Sequence, residues 1–226
     1  MDRGYIERNY NALFSEIEKA ADGRRVTLVA VTKSGTDDEL LALGALGVTD
    51  IGENRPQELK RRCELLRRHG YTPRMHQIGN LQKGNVKHVI DDAALIHSVD
   101  SLALGEKISR LSLERGRVTP VLVEVNSANE VQKGGIPPEM AAELISELSR
   151  LGGISVRGIM TMGPMVSDGE ELRPYFKATR ELFDRLRADG AFDGEGILSM
   201  GMSNSFQVAI EEGSTLVRVG TRLFEK

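Results

Sequence analysis

Eight short β-like runs separated by stretches of helical spacing recur along the chain, and this alternation restricts the fold more than any other feature. The predicted strands are 26–31, 48–52, 75–79, 94–99, 120–126, 156–161, 197–201 and 215–220. Several of them (VTLVAV, PVLVEVN, TLVRVG) are rich in valine, as strands covered by helices should be. Between them, 37–46, 138–151 and 174–188 read as amphipathic helices, with Leu144, Ile145, Leu148 and Leu151 on one face. Asp37 and Asp38 place acid at a helix start, and Pro137 and Pro138 suit a first turn. Gly47, Gly152 and Gly190 each follow a predicted helix, where a left-handed cap is wanted. An extra helix opens the chain over residues 1–19, with Tyr5, Tyr10, Leu13, Phe14 and Ile17 as its apolar stripe.

No Pro/Ser linker or change of composition divides the chain, so residues 1–226 read as one domain. Eight β/α units in this length predict an α/β fold, a single (β/α)8 barrel with an extra N-terminal helix; such barrels typically take about 250 residues. An open doubly wound sheet alternates in the same way and is the rival. A hydrophobic content of 40% and a charged content of 28% suit a folded globular chain, and a net charge of −3 gives nucleic acid no hold as the main partner. No apolar run approaches the roughly 20 residues of a membrane span, and the N-terminus lacks a signal-peptide core. Cys63 is the only cysteine, which excludes an internal disulfide; a cytoplasmic protein is expected.

In a barrel of this kind the site gathers at the carboxyl ends of the strands. Lys33 follows the first strand, where burial would lower its pKa and make it a nucleophile toward an aldehyde; a lysine snorkelling to solvent is the alternative. Glu53 and Asn54 follow the second strand, Glu53 orienting a base, holding the neighbouring basic residues or opening the next helix. Asn126 ends the fifth. The loops after the last two strands carry what a phosphate needs: the Ser203 and Thr221 hydroxyls, and Gly220 with no side chain to block backbone N–H groups. Ser203 is equally suited to cap the helix that follows. Arg218 stands between Val217 and Val219 and needs a partner, either a ligand's ring nitrogen or carboxylate, or an internal ion pair.

Other motifs return little. The chain has no Walker loop, no G-x-G-x-x-G and no Cys/His cluster at metal spacing. His69, His76, His88 and His97 read as scattered structural or surface groups. Lys83, Lys87 and His88 read as a solvated face or a small anion corner. The stretch Gly201 to Ser205 lacks the second glycine of a nucleophile elbow.

Five segments in order, Val29–Lys33, Ile51–Asn54, His76–Gln82, Leu198–Ser203 and Val217–Thr221, together resemble the pyridoxal phosphate homeostasis proteins, relatives of the alanine racemase N-terminal barrel. The likeness runs from about Val26 to Phe224. It implies a TIM barrel of that type with pyridoxal 5′-phosphate held as a Schiff base on Lys33. It further implies that Ser203, Gly220 and Thr221 take the phosphate, that Arg218 faces the pyridine nitrogen, and that Asn54 and Met200 lie beside the ring. After Lys33 the family usually has a Lys-Thr-Lys-Pro-like stretch, where this chain has Ser34-Gly35-Thr36.

The function expected from this resemblance is a carrier in vitamin B6 homeostasis that buffers the cofactor and delivers it to apo-enzymes. A permanently cationic arginine at the ring nitrogen makes the ring a weak electron sink, and the second base of a racemase is not evident. The chain ends just past the eighth strand, so the added C-terminal domain of alanine racemase is expected to be absent. An amino-acid racemase or related enzyme is the alternative, and a barrel for another phosphorylated metabolite a third reading. A monomer is expected, with no metal.

Overall fold

The computed structural model describes residues 4–128, 130, 134–166 and 168–226. Helix α1 (Gly4–Ala21) precedes the repeat β1 (Thr27–Val31), α2 (Asp37–Ala45), β2 (Asp50–Glu53), α3 (Pro56–Arg68) and β3 (Arg74–Gln77). After it come β4 (Ala93–Val99), α4 (Leu102–Leu113), β5 (Thr119–Glu124), α5 (Ala141–Leu148) and β6 (Ile154–Met160). The chain continues through α6 (Arg173–Ala188), β7 (Ile197–Ser199), α7 (Phe206–Glu211), β8 (Leu216–Val219) and α8 (Thr221–Phe224). The strands pair in parallel and in chain order, and β1 closes the ring on β8 with Val29 opposite Arg218. The (β/α)8 barrel expected from the alternation is therefore the fold, and the open sheet is excluded.

Between β3 and β4 a 3-10 helix, Lys83–His88, stands where the repeat would have an α-helix. Gly84, Asn85 and Val86 are all weak helix formers, and only Val86 of that segment is buried. Lys83 and Lys87 are exposed, which makes them a solvated face.

Strand ends differ from the predicted ones by at most two residues. In α1, Phe14 is 43% exposed and off the buried stripe, which is Ile6, Leu13, Ile17 and Ala21. Ile6, Leu13 and Ile17 fall at i, i+7 and i+11, whereas Phe14 sits one position round, its ring tilted against Tyr10 with centroids 6.2 Å apart. Helix α2 opens with a capping box between Thr36 and Glu39. Gly47 and Gly190 adopt the expected left-handed φ of 76° and 70°, but Gly152 does not. The constraint there falls on Gly153, where a Cβ would lie 2.2 Å from the Ser109 carbonyl oxygen.

Two apolar clusters hold the molecule. The larger fills the shell between strands and helices, and the smaller, Val29, Leu95, Leu122, Met160 and Leu216, plugs the bore. Along β8, Leu216 belongs to the bore while Val217 and Val219 belong to the shell, so Arg218 must point inward. The apolar plug thus forms the base on which a polar layer sits.

Candidate functional site

At the carboxyl ends of the strands a cavity of about 740 Å³ opens above that layer, of a size suited to a small cofactor. Lys33, Asn54, Ser203, Arg218, Gly220 and Thr221, the polar residues expected at the site, all line it. Met200 does not. It is fully buried in the outer shell because it follows the inward-facing Ser199 by one residue, and Met162 and Met202 line the wall instead.

Lys33 is exposed on the cavity wall and has no carboxylate partner among the described residues. The burial expected of Lys33 is therefore not found. The backbone around it is fixed from below: Arg62 of α3 donates to the carbonyls of Thr32 (2.6 Å) and Gly35 (2.8 Å). Arg62 also pairs with Glu53 at 3.2 Å, and the Thr32 hydroxyl donates to the same carboxylate. Glu53 thus holds a neighbouring basic residue, Arg62, as one of its expected roles had it, and does not open the next helix; it is the buried anchor of the clamp under Lys33. The Ser34-Gly35-Thr36 stretch has its own packing, since a Cβ on Gly35 would sit 2.8 Å from the Phe224 ring.

The loops after β7 and β8 meet beside Lys33. The Gly220 amide donates to the Ser203 hydroxyl at 3.3 Å. The backbone N–H groups of Ser203, Asn204, Thr221 and Arg222 donate to no acceptor among the described residues. Helix α7 begins after Ser205, so Ser203 does not cap it and lies in the cavity wall. A Cβ on Gly220 would meet the Val31 carbonyl oxygen at 2.8 Å, so glycine is required for the loop after β8 to lie against the end of β1. Unused N–H donors converging with two hydroxyls make a cradle for a phosphate-like anion.

Arg218 is 4% exposed. Its partners are not a carboxylate: Nη1 donates to the Ser199 hydroxyl at 2.6 Å and Nη2 to the Thr161 carbonyl at 3.0 Å. Burial pulls its pKa down to about 10, opposed by the charge of Glu124. At neutral pH it remains a cation facing the cavity.

Three features escaped the sequence reading. Glu124, at the end of β5, lines the cavity and is 4% exposed. Burial, and then the charge of Asp100, push its pKa up to about 7. Asn126, the polar residue singled out on that strand, instead ties its own loop by donating to the Glu130 carbonyl at 2.8 Å. His76 and His97 are not scattered but buried together, His76 Nδ1 lying 2.9 Å from His97 Nε2. Among the described residues no group of His, Cys, Asp and Glu is placed to hold a metal, and no helix is long and apolar enough to cross a membrane.

Comparison with known proteins agrees with this geometry. The family model described as alanine racemase, N-terminal domain, matches residues 1–225. The pyridoxal phosphate homeostasis protein of Aquifex aeolicus is 38% identical over 208 residues, covering 92% of this chain and 90% of its own. An unknown protein from Bifidobacterium adolescentis superposes with a TM-score of 0.92 at 36% identity, over 99% of this chain and 97% of that one. PipY of Synechococcus elongatus PCC7942, solved with PLP bound, gives a TM-score of 0.85 at 28% identity over 97% of this chain and 100% of its own. With a family model matched nearly end to end and so similar a relative, the chain belongs to the alanine racemase N-terminal domain family and, within it, to the pyridoxal phosphate homeostasis proteins.

Proposed function

We propose that this chain binds pyridoxal 5′-phosphate in the cavity above the barrel and serves as a carrier of that cofactor in vitamin B6 homeostasis. The observation that carries the reading is that Ser203, Asn204, Thr221 and Arg222, whose backbone N–H groups have no acceptor among the described residues, line one cavity with Lys33. The Ser203 and Thr221 hydroxyls complete the phosphate contacts, and Gly220 leaves room for them. Lys33 supplies the amine that condenses with the cofactor aldehyde to a Schiff base, releasing water. Asn54 borders the ring, and Arg218 faces its nitrogen as a fixed cation. When bound, the cofactor supplies an aldehyde and an electron-accepting ring. A relative at 28% identity was solved with PLP bound, which supports the assignment.

The carrier acts as a cytoplasmic monomer and hands its cofactor to apo-enzymes. The deciding experiment is the absorbance spectrum of the purified protein with added pyridoxal phosphate, before and after borohydride, beside Lys33→Ala. A band near roughly 420 nm that reduction fixes onto the Lys33 peptide, and that the variant lacks, is expected of a lysine Schiff base. Identical behaviour of the two proteins would remove Lys33 as the anchor.

A further inference from the structure

We infer that Asp50, His76, His97 and Ser199 form a positioning array for Arg218, a single directed chain of hydrogen bonds through the bore that fixes how the guanidinium faces the cavity. Its role toward the cofactor rests on the function proposed above; the array itself does not.

The chain is continuous. Asp50 Oδ1 lies 2.9 Å from His76 Nε2, His76 Nδ1 2.9 Å from His97 Nε2, and His97 Nδ1 3.1 Å from Ser199 Oγ. Ser199 Oγ then lies 2.6 Å from Arg218 Nη1. The first three residues come from β2, β3 and β4 and the last two from β7 and β8. β4 and β7 are not neighbours in the ring, so the bond between His97 and Ser199 crosses the bore. Asp50 and His76 also line a small cavity of about 210 Å³ that contains Arg74 and Arg157, whereas Arg218 lines the large one.

Its direction follows from which groups can donate. A guanidinium has no acceptor, so Ser199 Oγ must accept from Arg218 and its own proton is left to give. His97 Nδ1 takes that proton, which places the His97 ring proton on Nε2. That N–H donates to His76 Nδ1, and the His76 proton, now on Nε2, donates to Asp50. The other Asp50 oxygen accepts from Arg74 and from the Thr49 hydroxyl, each at 2.7 Å. The reverse order would turn the His76 Nε2 lone pair toward the Asp50 carboxylate unless His76 were charged, and it would leave the Ser199 proton no acceptor in the chain. Burial holds the His97 pKa well below the ordinary value, which agrees with a neutral ring.

Arg218 is thus held by a neutral hydroxyl and a carbonyl rather than by a carboxylate. Along the chain, three residues separate Arg218 from the full negative charge of Asp50. This leaves the guanidinium oriented but not neutralised by contact. A direct carboxylate would draw it away from the cavity; the array does not.

Two measurements test this. In 15N-histidine spectra of the protein without cofactor, His76 and His97 should both be neutral with the proton on Nε2. A charged His76, or a proton on Nδ1 of His97, would overturn the direction. The second measurement titrates pyridoxal phosphate into Ser199→Ala, His97→Leu and His97→Gln, each checked for a cooperative unfolding transition. Ser199→Ala and His97→Leu should weaken binding about tenfold or more and shift the absorbance maximum of the bound cofactor, as expected when a hydrogen bond to a charged group is lost. His97→Gln retains a donor and an acceptor and should restore the wild-type spectrum. Wild-type affinity and spectrum in both Ser199→Ala and His97→Leu would sink the array. A wild-type protein that takes up no cofactor would instead overturn the proposed function, and the histidine spectra would still decide on the array.

Discussion

The Gly220 amide donates to the Ser203 hydroxyl across 3.3 Å, so the loops after β7 and β8 are joined at the point where an anion would enter. The two residues contribute differently. Ser203 supplies a hydroxyl, whereas Gly220 supplies space, because any side chain there meets the Val31 carbonyl.

Gly220→Ala should therefore push the β8 loop away from β1 and disperse the cradle. Affinity for pyridoxal phosphate should fall by about 100-fold, or nearly 3 kcal/mol. Affinity for pyridoxal, which lacks the phosphate, should hardly change. Ser203→Ala should cost about tenfold on the same comparison. A calorimetric titration of both ligands into the variants checks this, and an equal loss for the two ligands would place the phosphate elsewhere.

The clamp beneath Lys33 makes a prediction about stability. Glu53 and Arg62 are buried, with side chains 1% and 7% exposed, and Arg62 also ties two carbonyls of the turn. Arg62→Ala strands a buried carboxylate and should destabilise the fold by roughly 3–5 kcal/mol. Adding Glu53→Gln should recover part of that loss, since no charge is then left unpaired. Urea denaturation of the single and double variants measures it. Additive losses would show that the two side chains act independently.

Much of this was legible from strand alternation, and what was missed follows from the same rule applied one step too loosely. Leu95, Leu122, Ile197 and Leu216 face the bore, and two residues beyond each stands a polar inward group: His97, Glu124, Ser199 and Arg218. Reading each polar residue by its parity with the apolar rung below it would have turned His97 and Glu124 into the barrel and moved Met200 out of it. The pairing of His76 with His97 could not be read in this way. It depends on the irregular register between β3 and β4, where the pairing shifts between Met75 and His76. The same holds for Arg62, whose reach from α3 to the Lys33 turn is set by how the helix packs.

The fixed cation at Arg218 also bears on turnover. A group that cannot accept a proton disfavours one on the ring nitrogen and weakens the electron sink that racemisation needs. Incubating the cofactor-loaded protein with L-alanine or L-serine should give no sustained build-up of the D-isomer on a chiral column. Sustained build-up that vanishes in Lys33→Ala would replace the carrier reading with an amino-acid racemase.

Glu124 gives the protein a pH dependence that most carboxylates would not. Its pKa is raised to about 7 from an ordinary 4.5, chiefly by burial. In the folded state it keeps its proton up to neutrality, while in the unfolded chain it loses it near pH 4.5. Across that window the folded state binds more protons than the unfolded one, so stability falls as pH rises. The contribution is intact below pH 4.5 and is lost by about pH 8, a change of about 3 kcal/mol from a shift of this size. Glu124→Gln carries no titrating proton and should escape this loss. Its urea midpoint should match that of the wild type at pH 4.5 and exceed it at pH 8. Ionised Glu124 also sets a negative charge in the wall of a cavity that takes a phosphate ester. Wild-type affinity for pyridoxal phosphate should therefore weaken above pH 7 more steeply than that of the variant. Parallel stability curves for the two proteins between pH 4.5 and 8 would mean that Glu124 ionises in its ordinary range, and that its burial is relieved by solvent entering the cavity.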